Sequence, residues 1–265
     1  MTRTLTDLEF LVLWEETGHD TFPLPLSFAT DLRDRVLFDH AKFEVRERLA
    51  ADRDPSVDLM LPALAHPDVY IAVHGHDGAE PLLPDGSIRI YAARRGDQGY
   101  VVRQLPGNTI WHSSGFVVST CDAIQLADAI VRELPPEPAG RHSNIPLHQE
   151  NPAFDTEPES FADLDFVQYE DEEQEDPGRR LAEYLFTAPA HRIGRIDISQ
   201  GSSRFGPRGI VRRRLGWRDL IDDGRYTLTA DTPATAYGTD VARMVNMINT
   251  EIAAVIRAIK DERTD

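Results

Sequence analysis

The stretch from Arg195 to Thr229 reads RIDISQGSSRFGPRGIVRRRLGWRDLIDDGRYTLT, and its residue pattern is the main indication of the fold. Apolar and polar residues alternate strictly in Arg195–Ser199 and more loosely in Ile210–Leu215 and Tyr226–Leu228. Glycines, a proline and the pair Asp223-Gly224 separate these runs. Alternation with a period of two residues, interrupted by turn residues, predicts a small antiparallel meander.

The same stretch carries six arginines within fifteen residues, although the protein as a whole is acidic. They are Arg204, Arg208, Arg212, Arg213, Arg214 and Arg218. Three interpretations are open: the solvent face of a sheet, the rim of a protein-binding surface, and a nucleic-acid site. Arginine and tryptophan are enriched at interface hot spots, so Trp217 supports the second interpretation. Pairing with the chain's own acidic segment, Glu150 to Asp176, would also neutralise these arginines.

Composition argues against a nucleic-acid-binding, a disulfide-stabilised or a membrane-spanning protein. The chain has 265 residues and a net charge of −17, and twelve of its acids lie between Glu150 and Asp176 without any lysine or arginine. An acidic balance argues against nucleic acid as a partner, because phosphate binding needs clustered cations. The single cysteine excludes an intramolecular disulfide framework and fits a reducing cytosol. We expect neither a signal peptide nor a membrane span, since no window is apolar enough.

Helices are predicted mainly before residue 67 and at the C-terminus. Helical spacing of apolar residues, with capping residues before them, predicts helices over about 6–17, 30–49, 56–66, 177–187 and 240–263. The pattern Ser119-x-x-Asp122 predicts the start of another helix, which ends at Leu134-Pro-Pro. For the last helix, Thr239 is the predicted cap.

Strands are predicted at Val69–His74, Ile88–Ala92, Tyr100–Leu105 and Ile110–Ser119. The two parts of the chain therefore share one order of elements: a helix, about four strands, and a helix. The sequences Ala63-Leu-Ala-His and Ala188-Pro-Ala-His precede the two sets of strands. We therefore predict a duplicated α+β fold whose halves pair around a pseudo-twofold axis.

No catalytic motif is evident in the sequence. It has no phosphate-binding loop of the GxxxxGK[ST] type, no GxGxxG after a strand and no GxSxG nucleophile elbow. His74 and His76 would lie on the same face of a strand and could share a metal ion, with His66, His112 or His191 as a third ligand. A metal-dependent enzyme using His74 and His76 is therefore the alternative function, although polar residues at a strand end are the simpler interpretation.

Taken together in order, these segments resemble the EspG family of type VII (ESX) secretion-associated proteins. The resemblance is carried by Leu5–Trp14, Phe22–Leu26, the strand Val69–Val73, the helix Ala123–Leu134 with Pro135-Pro136, Arg212–Arg214, Gly216-Trp217 and Asp223–Tyr226. It implies an EspG-like α+β fold of two quasi-symmetric halves around a central antiparallel sheet with helical bundles.

The resemblance further implies a cytosolic chaperone, not an enzyme, without cofactor or metal. Such a protein would bind a PE–PPE heterodimer at the helical tip of the PPE subunit, keep it soluble and deliver it to a cognate ESX system. Components of the ESX machinery are further implied partners; nucleic acid and membrane insertion are not. The protein itself would be a monomer or a weak homodimer.

We expect one domain over residues 1–265, with an N-terminal half 1–136, a C-terminal half 177–265 and an acidic, proline-rich joining segment 137–176. The long loop 75–86, the arginine-rich sheet and part of the last helix are expected to form one client-binding patch, because they combine apolar tips with arginine and tryptophan. Its predicted residues are Leu82, Leu83, Phe205, Arg208, Arg212, Arg214 and Trp217.

Overall fold

The protein is built on one antiparallel sheet, as seen in a computed structural model that describes residues 2–147, 177–230 and 233–264. In these residues the sheet has ten strands in the order β1-β5-β4-β3-β2-β7-β8-β9-β10-β6. The strands are β1 (Thr2–Leu5), β2 (Val69–Asp77), β3 (Ile88–Arg95), β4 (Gln98–Pro106), β5 (Ser113–Asp122), β6 (Ile145–Pro146), β7 (Ala190–Gln200), β8 (Arg212–Leu220), β9 (Gly224–Thr229) and β10 (Thr235–Gly238). The predicted α+β class and the meander after residue 195 are confirmed.

Helices cover both faces of this sheet. They are α1 (Asp7–Glu15), α2 (Arg35–Ala51), α3 (Pro55–Ala65), α4 (Leu126–Arg132), α5 (Pro177–Thr187) and α6 (Val241–Thr264). Helices α4 and α6 pack on one face, over a core that contains Val73, Ile196 and Trp217. On the opposite face, α1 and α3 cover the first half of the sheet, and α5 covers part of the second half.

The two halves are related by a quasi-twofold axis that passes between β2 and β7. These strands pair from Val69↔Gln200 to Asp77↔Arg192, with Val73 opposite Ile196 at the midpoint. The strand order reads the same from either side of this pair, since β1 and β6 occupy the two outer edges. The predicted repeat is therefore present as repeated structure. The four-residue match at Ala63 and Ala188 is not part of it, because only the second copy lies partly inside a strand.

Several helix starts differ from the predicted ones because a carboxylate provides the cap. Helix α1 begins as expected, with Thr6 and Glu9 in a reciprocal capping box. Asp34 accepts hydrogen bonds from the first turn of α2, so this helix starts five residues later than expected. Asp54 caps α3 in place of the predicted Ser56.

Two further predicted helix starts, at Ser119 and at Thr239, need correction. Ser119–Asp122 is the end of β5 and not a helix start, because its backbone pairs with β4. Helix α4 follows a short 3-10 turn at Ala123–Gln125. Asp240, not Thr239, accepts the hydrogen bond from the backbone N–H of Arg243 at the start of α6. The Thr239 hydroxyl donates instead to the Tyr237 carbonyl.

The boundaries of the predicted halves stay a prediction, and the acidic run Glu150–Asp176 lies outside the described residues. Residues 137–147, which precede it, associate with the second half. Strand β6 pairs with β10, and the N–H of Gly140 donates to the carbonyl of Arg225. The side chain of Arg141 forms an ion pair with Asp223.

The middle of the sheet depends on two glycines that face each other across the β2–β7 pair. Gly75 lies opposite Gly194, and the indole of Trp217 from β8 packs over both. A Cβ on Gly75 would stand 2.8 Å from Trp217 Cζ2, and a Cβ on Gly194 would overlap the ring. Trp217 is consequently one of the largest fully buried side chains of the protein.

We predict that Gly194→Ala lowers the free energy of unfolding by about 1–3 kcal/mol, since the added methyl forces the rigid indole out of its place. Urea unfolding followed by tryptophan fluorescence measures the change. The matched control is Ser202→Ala, at an exposed loop position, with an expected effect within about 0.5 kcal/mol. Equal stability of the two variants would show that the indole is not confined by the glycine pair.

Candidate protein-binding surfaces

The structure separates the predicted patch into two surfaces at opposite ends of the sheet. Leu82 and Leu83 lie on the loop from β2 to β3, whereas Phe205 and Arg208 lie on the loop from β7 to β8. Because β2 and β7 are antiparallel and pair over nine residues, the two loops are separated by roughly 26 Å of strand. The prediction of one continuous patch is therefore wrong. We name the two surfaces the β2–β3 end and the β7–β8 end.

Two of the predicted contact residues have other roles in this structure. Trp217 is only 1% exposed, so its indole belongs to the core and cannot reach a partner. Arg214 lies in mid-strand, where its Nε donates a hydrogen bond of 2.6 Å to Asp197. Arg212 is exposed at the start of β8, next to the β7–β8 end.

The β2–β3 end presents large apolar side chains on three loops. Leu82 and Leu83 are 73% and 39% exposed, Trp111 in the β4–β5 loop is 54% exposed, and Ile221 in the β8–β9 turn is 40% exposed. All three loops lie at this end because the strands before them run in the same direction. Trp111 and Ile221 were not predicted. Trp111 lay inside the predicted strand Ile110–Ser119, but β5 begins only at Ser113, so Trp111 belongs to the loop before it.

A buried arginine on β3, Arg89, connects the segment Pro25–Ser27 to the β4–β5 loop. The Arg89 Nη1 donates to Ser27 Oγ at 2.6 Å and to the Pro25 carbonyl at 3.2 Å. Its guanidinium lies 5.6 Å from the centre of the Trp111 ring. Burial lowers the pKa of Arg89 below its usual value. The guanidinium of Arg89, held in place by these hydrogen bonds, packs against the exposed ring of Trp111. This contact restricts the ring before binding and so reduces the conformational entropy lost when a partner binds.

The β7–β8 end presents one aromatic ring held in a basic loop. Phe205 is 65% exposed, and the guanidinium of Arg204 lies 4.8 Å from the centre of its ring. Glu262 from α6 fixes the loop: it accepts hydrogen bonds from Gln200 Nε2, from Ser203 Oγ and from the backbone N–H of Arg204. The hydrogen bond from Gln200 contributes most to holding the pKa of Glu262 below its usual range, and the bonds from Ser203 and Arg204 act in the same direction.

The histidine pair does not gather a metal-binding set in the described part of the chain. The ring centres of His74 and His76 are 6.5 Å apart, and no group of three or more His, Cys, Asp or Glu side chains there could hold a metal ion. His66 packs against His19. His112 forms its hydrogen bond with Thr109. Burial, and then the charge of Arg89, lowers the pKa of His74 to about 3, so this imidazole is neutral at pH 7.

The site and the fold together describe a sheet of two quasi-symmetric halves with exposed apolar side chains on its end loops. The chain belongs to the EspG family, whose family model matches residues 6–250. None of the helices in the described ranges is long and apolar enough to cross a membrane.

Solved structures show the same fold. Thirteen chains match, among them the type VII secretion system chaperone EspG5 of Mycobacterium tuberculosis, solved in complex with a PE25–PPE41 dimer. The match to EspG5 has a TM-score of 0.55 and 13% sequence identity, and it covers 97% of this chain and 96% of the EspG5 chain. A search of the curated proteins finds no match.

The buried His74 predicts a loss of stability in mild acid. Its folded pKa lies below its unfolded pKa of about 6.5, so the unfolded state binds the extra proton between these values. The contribution of the neutral His74 to the free energy of unfolding is fully present above pH 6.5. It decreases as the pH falls toward 3, by at most about 1.4 kcal/mol per pH unit.

Unfolding in urea at several pH values from 7 to 5 measures this slope. We expect His74→Gln to reduce this slope by up to one proton. Identical slopes for wild type and His74→Gln would show that folding does not lower the pKa of His74.

Proposed function

We propose that this EspG-family protein is a secretion chaperone that binds a PE–PPE heterodimer through the PPE subunit. It keeps this client soluble and delivers it to a cognate type VII (ESX) secretion system. The observation that carries the proposal is the family match over residues 6–250. The EspG5 structure, in which a chaperone of the same fold is bound to PE25–PPE41, supports it.

The β2–β3 end is the client-binding surface in this proposal. A helical tip that is too apolar to stay in solution needs apolar contacts surrounded by polar groups. The four exposed side chains at this end, on three different loops, provide such contacts (Leu82, Leu83, Trp111 and Ile221). At the β7–β8 end, the large exposed apolar side chains of the described residues are Phe205 on the β7–β8 loop and Ile124 after β5, so fewer apolar contacts are available there.

The proposal also places the protein in the cytoplasm and assigns it no catalytic reaction. The chaperone must bind its client before the client is exported, and therefore in the cytoplasm. The free Cys121 is compatible with the reducing conditions of the cytoplasm. Binding the apolar surface of a client requires rigid apolar side chains that exclude water. It does not require a catalytic acid or base. Arg89 beneath Trp111 provides the rigidity at this end.

We predict that Leu82→Asp/Leu83→Asp weakens binding of a co-purified PE–PPE heterodimer by at least about thirtyfold, because two desolvated carboxylates replace apolar anchors. Isothermal titration calorimetry with the cognate pair measures the affinity. The matched control is Phe205→Asp, which introduces the same charge at the same kind of exposed loop position on the opposite end.

We expect Phe205→Asp to change the affinity by less than about threefold, since it lies outside the proposed contact. Thermal unfolding of each variant verifies that the fold is intact. If Phe205→Asp abolished binding and the double leucine variant did not, the client would bind at the β7–β8 end instead.

A further inference from the structure

The β7–β8 end concentrates positive charge in a protein that is acidic overall. From Gly201 to Arg218 the sequence has six arginines and no aspartate or glutamate, whereas the whole chain has a net charge of −17. Three of these arginines, Arg204, Arg208 and Arg212, are exposed. Their guanidinium groups therefore give this end of the sheet a local charge opposite to that of the protein as a whole.

The backbone of the β7–β8 loop, residues 201–210, is fixed by the protein beneath it. The N–H of Gly201 donates to the Asp68 carbonyl, and further backbone hydrogen bonds close turns within the loop. The carboxylate of Glu262 on α6 accepts a hydrogen bond of 2.8 Å from Ser203 Oγ. Because the loop is held at its start and in its middle, its exposed side chains lose less conformational entropy when a partner binds.

An aromatic ring lies among these arginines. Phe205 is largely exposed, and the guanidinium of Arg204 lies over its ring. Aromatic and arginine side chains together are the residue types that contribute most to protein–protein binding. The charge of Glu262 offsets part of that of Arg204, whereas Arg208 and Arg212 extend the positive surface beyond the ring.

A groove of about 620 Å³ lies beside the loop, between the end of α6 and the β3–β4 turn. Its apolar lining includes Ile256 and Ile259, and Ile124 at the groove is 81% exposed. Helix α6 joins the groove to the loop, since Ile259 lines the groove and Glu262, about one turn later, binds the loop. The charged lining is balanced, so the excess of positive charge at this end comes from the loop (Asp68, Asp97, Asp122, Arg94, Lys260 and Arg263 line the groove).

We propose that the β7–β8 end is a second protein-binding surface, which binds an acidic segment of a protein other than the client. Carboxylates of this segment pair with Arg204, Arg208 and Arg212, since the planar guanidinium group matches the geometry of a carboxylate. An apolar side chain of the segment packs against Phe205 or enters the groove. Charge complementarity favours an acidic protein segment, whereas the net charge of the chain repels a nucleic acid.

This inference goes beyond the proposed chaperone function. The surface lies at the end of the sheet opposite to the proposed client site, so that the acidic partner and the client can be bound at the same time. A protein that delivers a client needs such a second contact with the recipient. The three arginines and Phe205 provide it without using any residue of the β2–β3 end.

Fluorescence anisotropy of the full chain with a labelled peptide of Glu-Glu-Leu repeats tests the proposal, with a peptide of Gln-Gln-Leu repeats as the uncharged comparison. We expect the acidic peptide to bind at least about tenfold more tightly than the uncharged one, and to bind more weakly as salt rises from about 0.05 to about 0.3 M. Arg208→Glu/Arg212→Glu should lower its affinity at least about tenfold, because attraction becomes repulsion. Phe205→Ala should lower it about threefold or more, through the lost apolar contact.

The matched control is Arg33→Glu/Arg35→Glu, which makes the same change of charge at exposed positions at the start of α2 and should bind the acidic peptide like wild type. Thermal unfolding of each variant verifies that the fold is intact. Equal affinity for the two peptides, or unchanged affinity in the Arg208→Glu/Arg212→Glu variant, would overturn the proposal. Tighter binding of a labelled single-stranded oligonucleotide than of the acidic peptide would also overturn it and assign the arginines to nucleic acid.

The chain's own acidic segment is the other possible occupant of this surface. If the peptide bound only after Asp171, Glu172, Glu173 and Glu175 had been changed to their amides, that segment would be the occupant and the proposal would be wrong. These measurements contain no client, so their failure leaves the calorimetric test of client binding intact, and the reverse also holds.

Discussion

The pairing of β2 with β7 is the interaction on which the rest of the structure depends. It joins two half-sheets into one and places the quasi-twofold axis between Val73 and Ile196. The two strands can pair here because Gly75 and Gly194 have no side chains and leave space for the indole of Trp217. The indole is part of the apolar core layer under α4 and α6. A side chain at either glycine would have to displace the largest ring of that layer. The core therefore constrains the strands at the point where the halves meet.

The axis explains how one chain acquires two end surfaces. Because β2 and β7 are antiparallel, the β2–β3 loop (residues 78–87) and the β7–β8 loop (residues 201–210) lie at opposite ends of the sheet and do not meet within one molecule. Backbone hydrogen bonds and close glycine contacts set the shape of both loops. The side chains of the two loops are exposed, so their chemistry is not constrained by the core. The β2–β3 loop is apolar and acidic, whereas the β7–β8 loop is aromatic and basic.

The arginine cluster shows why a run in sequence need not form a surface in space. Successive residues of β8 point to opposite faces of the sheet. Arg213 therefore approaches Glu251 on α6, whereas Arg214 pairs with Asp197 on the other face. Arg218 stacks near Phe186 of α5. These three arginines therefore pair with groups of the chain itself, whereas Arg204 and Arg208 on the β7–β8 loop are exposed, and their part in protein binding stays a prediction.

The sequence by itself determined the α+β class, the position of the meander and the duplicated order of elements, because these follow from local periodicity and turn residues. It also indicated Leu82 and Phe205 as exposed tips, since each lies between glycines and prolines in a long loop. It misplaced helix starts where a nearby carboxylate, such as Asp34, caps the helix in place of the expected residue.

Only the tertiary structure decided which of these residues lie together. Periodicity carries no information on the order of strands across a sheet, so it could not show that Leu82 and Phe205 are at opposite ends. Burial of Trp217 was equally hidden, because it depends on two glycines that are 119 residues apart in the chain and become neighbours only when β2 pairs with β7. Long-range pairing, unlike a turn, is not encoded in any short stretch.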